Sequence, residues 1–248
     1  MVVLMKINDY VTRKKYNNDV LFQVIHIDHD VAYLKGINYR LIADAKLSDL
    51  KEASLKDDFF SFEGKIEKDI LKGKVLHIDG DKQYLEKCMQ FYKKNNTPVV
   101  GCYMKEKDME ANIFDLLNKH HPDVLVITGH DAYSYKRTNL DDGYLNSKYF
   151  INAVKKARDY QPNKDALIII AGACQSYYEG LISSGANFAS SPSKSNIHAL
   201  DPASIAVAIS QINVSEYVKV KDILKNTKSH GLGGIDSKGV ARKIYTDK

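Results

Sequence analysis

A thiol and an imidazole that stand far apart in sequence form the first chemically suggestive pair in this chain. Cys174 lies in Ala171-Gly172-Ala173-Cys174-Gln175-Ser176 and His130 in Gly129-His130-Asp131. Each triplet or hexapeptide follows a continuous apolar run, at 124–127 and at 167–170. A cysteine attacks as the thiolate, so it needs a base, and an imidazole at a neighbouring strand tip can serve without sequence adjacency. The chain between the two residues is what one helix and its loops occupy in a parallel crossover. Gly172 and Ala173 leave room for a substrate backbone. The amides of Cys174 and Asp131 are candidate donors to an oxyanion, and Cys174 is expected to open a helix whose dipole favours the thiolate. The chemistry implied is nucleophilic acyl transfer, which calls for no metal and no cofactor.

The other cysteines and histidines have simpler readings. Cys88 falls on a helical stripe and Cys102 in a strand, where cysteine behaves as a small hydrophobe. His120 and His121 end a helix, His77 lies within a strand, and His26 and His29 flank a turn in the N-terminal region. His230, beside Gly231-Leu232-Gly233-Gly234, belongs to no phosphate loop, because no strand precedes it and no GK[ST] follows. His198, in Ile197-His198-Ala199-Leu200-Asp201-Pro202, is the alternative base. A base after the nucleophile in chain order is the arrangement of glutamine amidotransferase-like enzymes. Their elbow reads G-x-C-x-G, however, and Ser176 stands where its second glycine would be.

The elements that must position this pair alternate. Val75-Leu76-His77-Ile78 predicts a strand, and Tyr84, Leu85, Cys88, Met89 and Tyr92 predict the helix after it. Pro98-Val99-Val100-Gly101-Cys102-Tyr103 and the stripe Met109, Ile113, Leu116, Leu117 repeat the unit. The runs 124–127 and 167–170 have the character of strands buried on both faces of a parallel sheet. A helix between them is signalled by Asn146-Ser147 and by Tyr149, Phe150, Ala153, Val154 and Ala157, closing before Pro162. Residues 177–184 complete the pattern, with Gly185 as a stop. The expected class is α/β, a three-layer αβα sandwich with a mostly parallel sheet and its ligands at the carboxyl ends of the strands. Before it, the β-rich segments 20–27 and 31–34, split by Asp28-His29-Asp30, predict a small SH3-like β-barrel. The expected organisation is a barrel domain over 1–45, a linker over 46–73 and the α/β domain over 74–248.

A chain of 248 residues suffices for these two unequal units, since single cores stop growing near roughly 250 residues. The net charge of +5 is modest and interleaved, so nucleic acid is not an expected partner. No apolar run reaches the roughly 18 residues of a membrane span. Three unevenly spaced cysteines fit reduced thiols and a cytoplasmic location.

The two strand tips resemble those of the caspase-like group of cysteine peptidases, which includes clostripain, gingipain, legumain and separase, where a His and then a Cys each follow an apolar strand. Over nearly its whole length the chain is similar to the YabG family of sporulation-specific proteases. That resemblance rests on Tyr10-Val11-Thr12-Arg13-Lys14, Leu34-Lys35-Gly36, Gly129-His130-Asp131, Asn146-Ser147-Lys148-Tyr149-Phe150, the Cys174 segment and Ala186-Asn187-Phe188-Ala189-Ser190-Ser191-Pro192. It implies a caspase-like fold and a cysteine endopeptidase of the mother cell of a spore-forming bacterium, associated with the spore coat. It further implies spore-coat and related spore proteins as substrates, cleaved next to basic residues. A basic side chain in the substrate requires a carboxylate in the pocket. Asp131, Asp141, Asp142 and Asp201, all on predicted loops near the catalytic face, are the candidates; clostripain-like enzymes place an acid where this chain has Gly172, so the pocket must be built otherwise or the preference differs. A non-catalytic coat scaffold that binds partners through its barrel is the reading left if the His-Cys pairing is accidental.

Overall fold

A computed structural model describes residues 5–55, 72–134, 143–190, 192–193, 196–213, 216, 218–228 and 235–236. The chain divides into two compact units, Met1–Ser61 and Phe62–Lys248.

The first unit is an antiparallel sheet of five strands: β1 (Tyr10–Arg13), β2 (Phe22–Asp28), β3 (Val31–Gly36), β4 (Ile42–Lys46) and β5 (Leu50–Glu52), in the order β4-β3-β2-β1-β5. Alternation places Val11, Phe22, Val24, Ala32 and Leu34 on one face, where they meet Val20, Ala45 and Leu50 in a core of their own. The β2–β3 hairpin turns at His29, whose φ of 52° is left-handed. The sheet runs past the expected limit at residue 45, because β5 pairs with β1 from Val11 to Arg13.

The second unit is built on a six-stranded sheet, in the order β11-β10-β9-β8-β6-β7. Its strands are β6 (Val75–Asp79), β7 (Val99–Tyr103), β8 (Val124–Thr128), β9 (Ile168–Ala171), β10 (Phe188–Ser190) and β11 (Ile235–Asp236). All pairings are parallel except that of β11 with β10. The central strands β8 and β9 are buried at every residue, as their unbroken apolar character predicts. The helices are α1 (Lys82–Lys94), α2 (Met109–His120), α3 (Ser147–Tyr160), α4 (Tyr178–Ser183), α5 (Asp201–Ser210) and α6 (Val220–Lys225).

Alternation along the strands assigns the two faces. Leu76, Ile78, Leu125, Ile127, Ile169 and Ala171 pack with Met109, Ile113 and Leu117 of α2 and Phe150, Ala153, Val154 and Ala157 of α3 in one core. The opposite face carries α1, against β6 and β7, and α5, against β8 and β9. The α5 helix is buried at all its residues. It has no polar stripe to reveal its period, and it was not expected from the sequence. Asp201, expected on a loop, is its first residue.

Candidate functional site

The strands β8 and β9 pair in parallel up to Ile127 opposite Ala171, and Gly172 N–H still donates to Ile127 O at 3.0 Å. His130 and Cys174 are each the third residue beyond that last pair, so one register delivers both to the same end of the sheet. His130 reaches α1, where its Nε2 lies 2.8 Å from Asp81 Oδ2 and its ring packs at 5.7 Å against that of Tyr84. Cys174 is fully buried. Its Sγ accepts from Ile197 N–H at 3.4 Å and donates to Ile197 O at 3.7 Å. Two residues on, Ala199 O accepts from Cys88 of α1, so the 197–199 segment passes between Cys174 and α1. The sulfur is thus covered by the Ile197 segment.

Cys174 does not open a helix, contrary to the expectation. It occupies a turn in which Gly172 has φ of 105° and Gln175 φ of 58°, and α4 starts only at Tyr178. A Cβ on Gly172 would stand 2.8 Å from Leu181 Cδ1 and 3.2 Å from Ser190 Cβ. This position therefore has no space for the acid that clostripain-like enzymes carry there. Ser176, which breaks the G-x-C-x-G pattern, ties the turn together instead. Its Oγ accepts from Ala173 N–H at 2.8 Å and donates to Asp131 Oδ2 at 3.1 Å.

Asp131 is the hub that joins the two loops. Its Oδ1 accepts from Ala132 N–H at 2.9 Å and Asn146 N–H at 2.8 Å, and its Oδ2 accepts from the hydroxyls of Ser147 and Ser176. Ser147 Oγ in turn accepts from Tyr177 N–H at 2.8 Å, and Tyr133 N–H donates to the Gln175 side chain at 3.1 Å. Burial pushes the Asp131 carboxyl above the usual carboxylate range, and the hydrogen bonds from Ser147, Asn146, Ala132 and Ser176 act the other way. A carboxylate engaged inward on four donors is a brace, and its geometry does not suit a substrate pocket.

His130 is fixed through its backbone as well. Its N–H donates to Glu106 Oε1 at 2.9 Å, and its carbonyl accepts from Asn146 Nδ2 at 2.8 Å. The Glu106 carboxylate fits there because residues 80 and 129 are glycines. A Cβ on either would lie 2.1 or 2.5 Å from Glu106 Oε1. Asn146 thus spends its side chain on the His130 loop, and no side-chain cap closes α3.

Asp81 and Glu106 were not singled out in the sequence. Asp81 did carry a signal, as the N-cap of α1 with Oδ1 accepting from Gln83 and Tyr84 N–H; nothing local linked it to His130. Among the other candidates, Asp201 is fully buried, with Oδ1 accepting from Lys228 N–H and Oδ2 from His198 N–H. His198 is buried, and its Nδ1 accepts from Leu200 N–H at 3.2 Å. Asp141, Asp142 and His230 lie outside the described residues. Cys102 is half-buried, and burial pushes its thiol up despite Lys119, which suits it poorly to attack. The donor atoms of His77, Asp79 and Cys88 lie within 4.8 Å of one another. His77 Nδ1 meets Tyr92 OH at 3.0 Å, its Nε2 lies 3.5 Å from Asp79 Oδ2, and Asp79 Oδ1 accepts from Asp81 N–H. They form a buried polar cluster directly behind Asp81.

The family model for YabG peptidase U57 matches residues 6–70 and 60–246. The chain belongs to the YabG peptidase family. It is 43% identical over 279 aligned positions to the sporulation-specific protease YabG of Bacillus subtilis (strain 168), covering 96% of each chain. No solved structure matches it. The chain is accordingly a sporulation protease. Among the described residues, no helix is long and apolar enough to cross a membrane.

Proposed function

We propose that this peptidase is a cysteine endopeptidase with Cys174 as nucleophile and His130 as general base. The observation that carries it is the shared register: both side chains lie three residues past one parallel pair, and Asp131 ties their loops together. His130 takes the thiol proton as sulfur attacks the peptide carbonyl, and backbone amides at Asp131 and Cys174 receive the oxyanion. The imidazolium then protonates the departing amine. Water, deprotonated by the same imidazole, releases the acyl group and restores the thiol.

The finer fold assignments agree with this mechanism. In the α/β unit, five parallel strands closed by an antiparallel edge strand, with helices on both faces, support a caspase-like sandwich. The order β4-β3-β2-β1-β5 supports an SH3-like barrel in the first unit, with the peptidase domain beginning at residue 74. Spore-coat and related spore proteins in the mother cell are the proposed substrates. Of the acids considered for selecting basic residues, Asp141 and Asp142 remain, since Asp131 and Asp201 are committed to internal hydrogen bonds.

Cleavage of a protein substrate by the wild type, Cys174→Ala, His130→Ala and His198→Ala tests the assignment. The first two variants are expected to lose at least about a hundredfold in rate, as removal of a nucleophile or general base does. Cleavage that survives Cys174→Ala excludes a thiol mechanism. The second reading, an amidotransferase-like hydrolase with His198 as base, is favoured by one contact, that of neighbouring Ile197 with Cys174 Sγ. Loss with His198→Ala and retention with His130→Ala would select it.

A further inference from the structure

We infer that Asp81 is the positioning residue of the site: it holds His130 with its proton on Nε2, so that Nδ1 is the atom left to act as base. The inference rests on His130 being the base. An ionised carboxylate only accepts hydrogen bonds, so the 2.8 Å contact between His130 Nε2 and Asp81 Oδ2 requires the ring proton to be on Nε2. The lone pair is then on Nδ1. That atom is buried and has no hydrogen-bond partner among the described residues, which leaves its lone pair open to a proton donor.

Asp81 is itself anchored well enough to impose an orientation. Its second oxygen caps α1 through Gln83 and Tyr84 N–H at 2.9 and 3.1 Å, and its own N–H is held by the buried Asp79 carboxylate at 2.9 Å. Tyr84, on the same helix turn, packs against the imidazole. The His130 backbone is fixed on both sides by Glu106 and Asn146. The imidazole is thus located by groups on three different elements, and its exposed fraction is only 22%. In the reaction, the Cys174 proton moves to Nδ1, Asp81 stays ionised beside the imidazolium, and the same proton leaves from Nδ1 to the departing amine.

Asp81→Asn isolates this role from that of helix cap. Asparagine caps a helix as well as aspartate does, so its carbonyl oxygen keeps the α1 N–H groups while its amide turns a donor toward His130 Nε2. The imidazole must then accept at Nε2 and carry its proton on Nδ1, the wrong tautomer for a base. The expected result is a kcat lower by about ten- to a thousandfold, in the range that general-base catalysis supplies, with KM and melting temperature within error of the wild type. The tautomer is read independently of any substrate by long-range 1H–15N correlation of the His130 ring in a Cys174→Ala background. The expected pattern is a proton on Nε2 while Asp81 is intact, and on Nδ1 once Asp81→Asn is added. An Nδ1–H tautomer with Asp81 intact, or an undiminished kcat in Asp81→Asn, overturns the inference while leaving Cys174 and His130 in place. Full activity of His130→Ala removes the base itself and overturns both readings.

Discussion

Asp131 shows how one buried side chain can tie separate stretches of chain together. Truncation by Asp131→Ala would leave the N–H groups of Ala132 and Asn146 and the hydroxyls of Ser147 and Ser176 without their acceptor. We expect a loss of about 3 kcal/mol or more in denaturant unfolding. Asp131→Asn keeps one acceptor oxygen for the N–H groups, and the hydroxyls of Ser147 and Ser176 can reverse to meet its amide, so its cost should be smaller. Its value lies in the pH dependence. Burial raises the folded-state pKa of Asp131 above the usual 3.8, so the folded protein holds that proton more tightly than the unfolded chain. The stabilisation linked to it is fully present below the unfolded pKa and is lost as pH rises through the folded one. The stability of the wild type relative to Asp131→Asn should therefore fall as pH rises above about 4. A relative stability that climbs over that range would show the carboxylate to be favoured by its environment.

Arg158 is the corresponding brace between elements. From the last turn of α3 its Nε donates to Gly185 O at 2.8 Å, Nη1 to Leu167 O at 2.9 Å and Gln161 O at 3.2 Å, and Nη2 to Asn187 Oδ1 at 2.6 Å. Burial lowers its pKa to about 10, which leaves it charged at neutral pH. Asn187 extends the clamp, accepting from Ile169 N–H in β9 and donating to Lys164 O. Arg158→Met should cost about 2–4 kcal/mol, since the four acceptors lose a charged donor, and equilibrium urea unfolding measures it; a change below about half a kcal/mol would mean that the guanidinium only fills space. The Ile197 segment acts in the opposite sense, as a cover. With Cys174 buried beneath it, alkylation of this thiol in the native protein should be at least about tenfold slower than that of a small model thiol, because only the opened state reacts. Ile197→Ala should accelerate it. Mass-spectrometric mapping of iodoacetamide labelling reads both, and an equally fast wild type would contradict the cover.

At the scale of the molecule, parallel topology makes the site. Strands of one direction bring their carboxyl ends to one edge, so residues remote in sequence converge where loops leave the core. The central position of β8 and β9 was legible because a strand buried on both faces must be apolar throughout. The stripes of α1, α2 and α3 were legible for the related reason that only one face of each is buried. The same logic explains the failures. Helix α5 is buried on every side, so it offered no period, and its Asp201-Pro202 start resembled a loop. The turn at Cys174 depends on left-handed conformations at Gly172 and Gln175, and a glutamine gives no local sign of one. Sequence by itself determined the alternation of elements, the two strand tips and the candidate pair Cys174 and His130, because these follow from local patterns of polarity. Tertiary structure alone decided that Asp81 meets His130, that Asp131 braces both loops and that Ile197 covers the thiol. Those contacts join residues far apart along the chain, and only packing of the helices on a common sheet brings them within hydrogen-bonding distance.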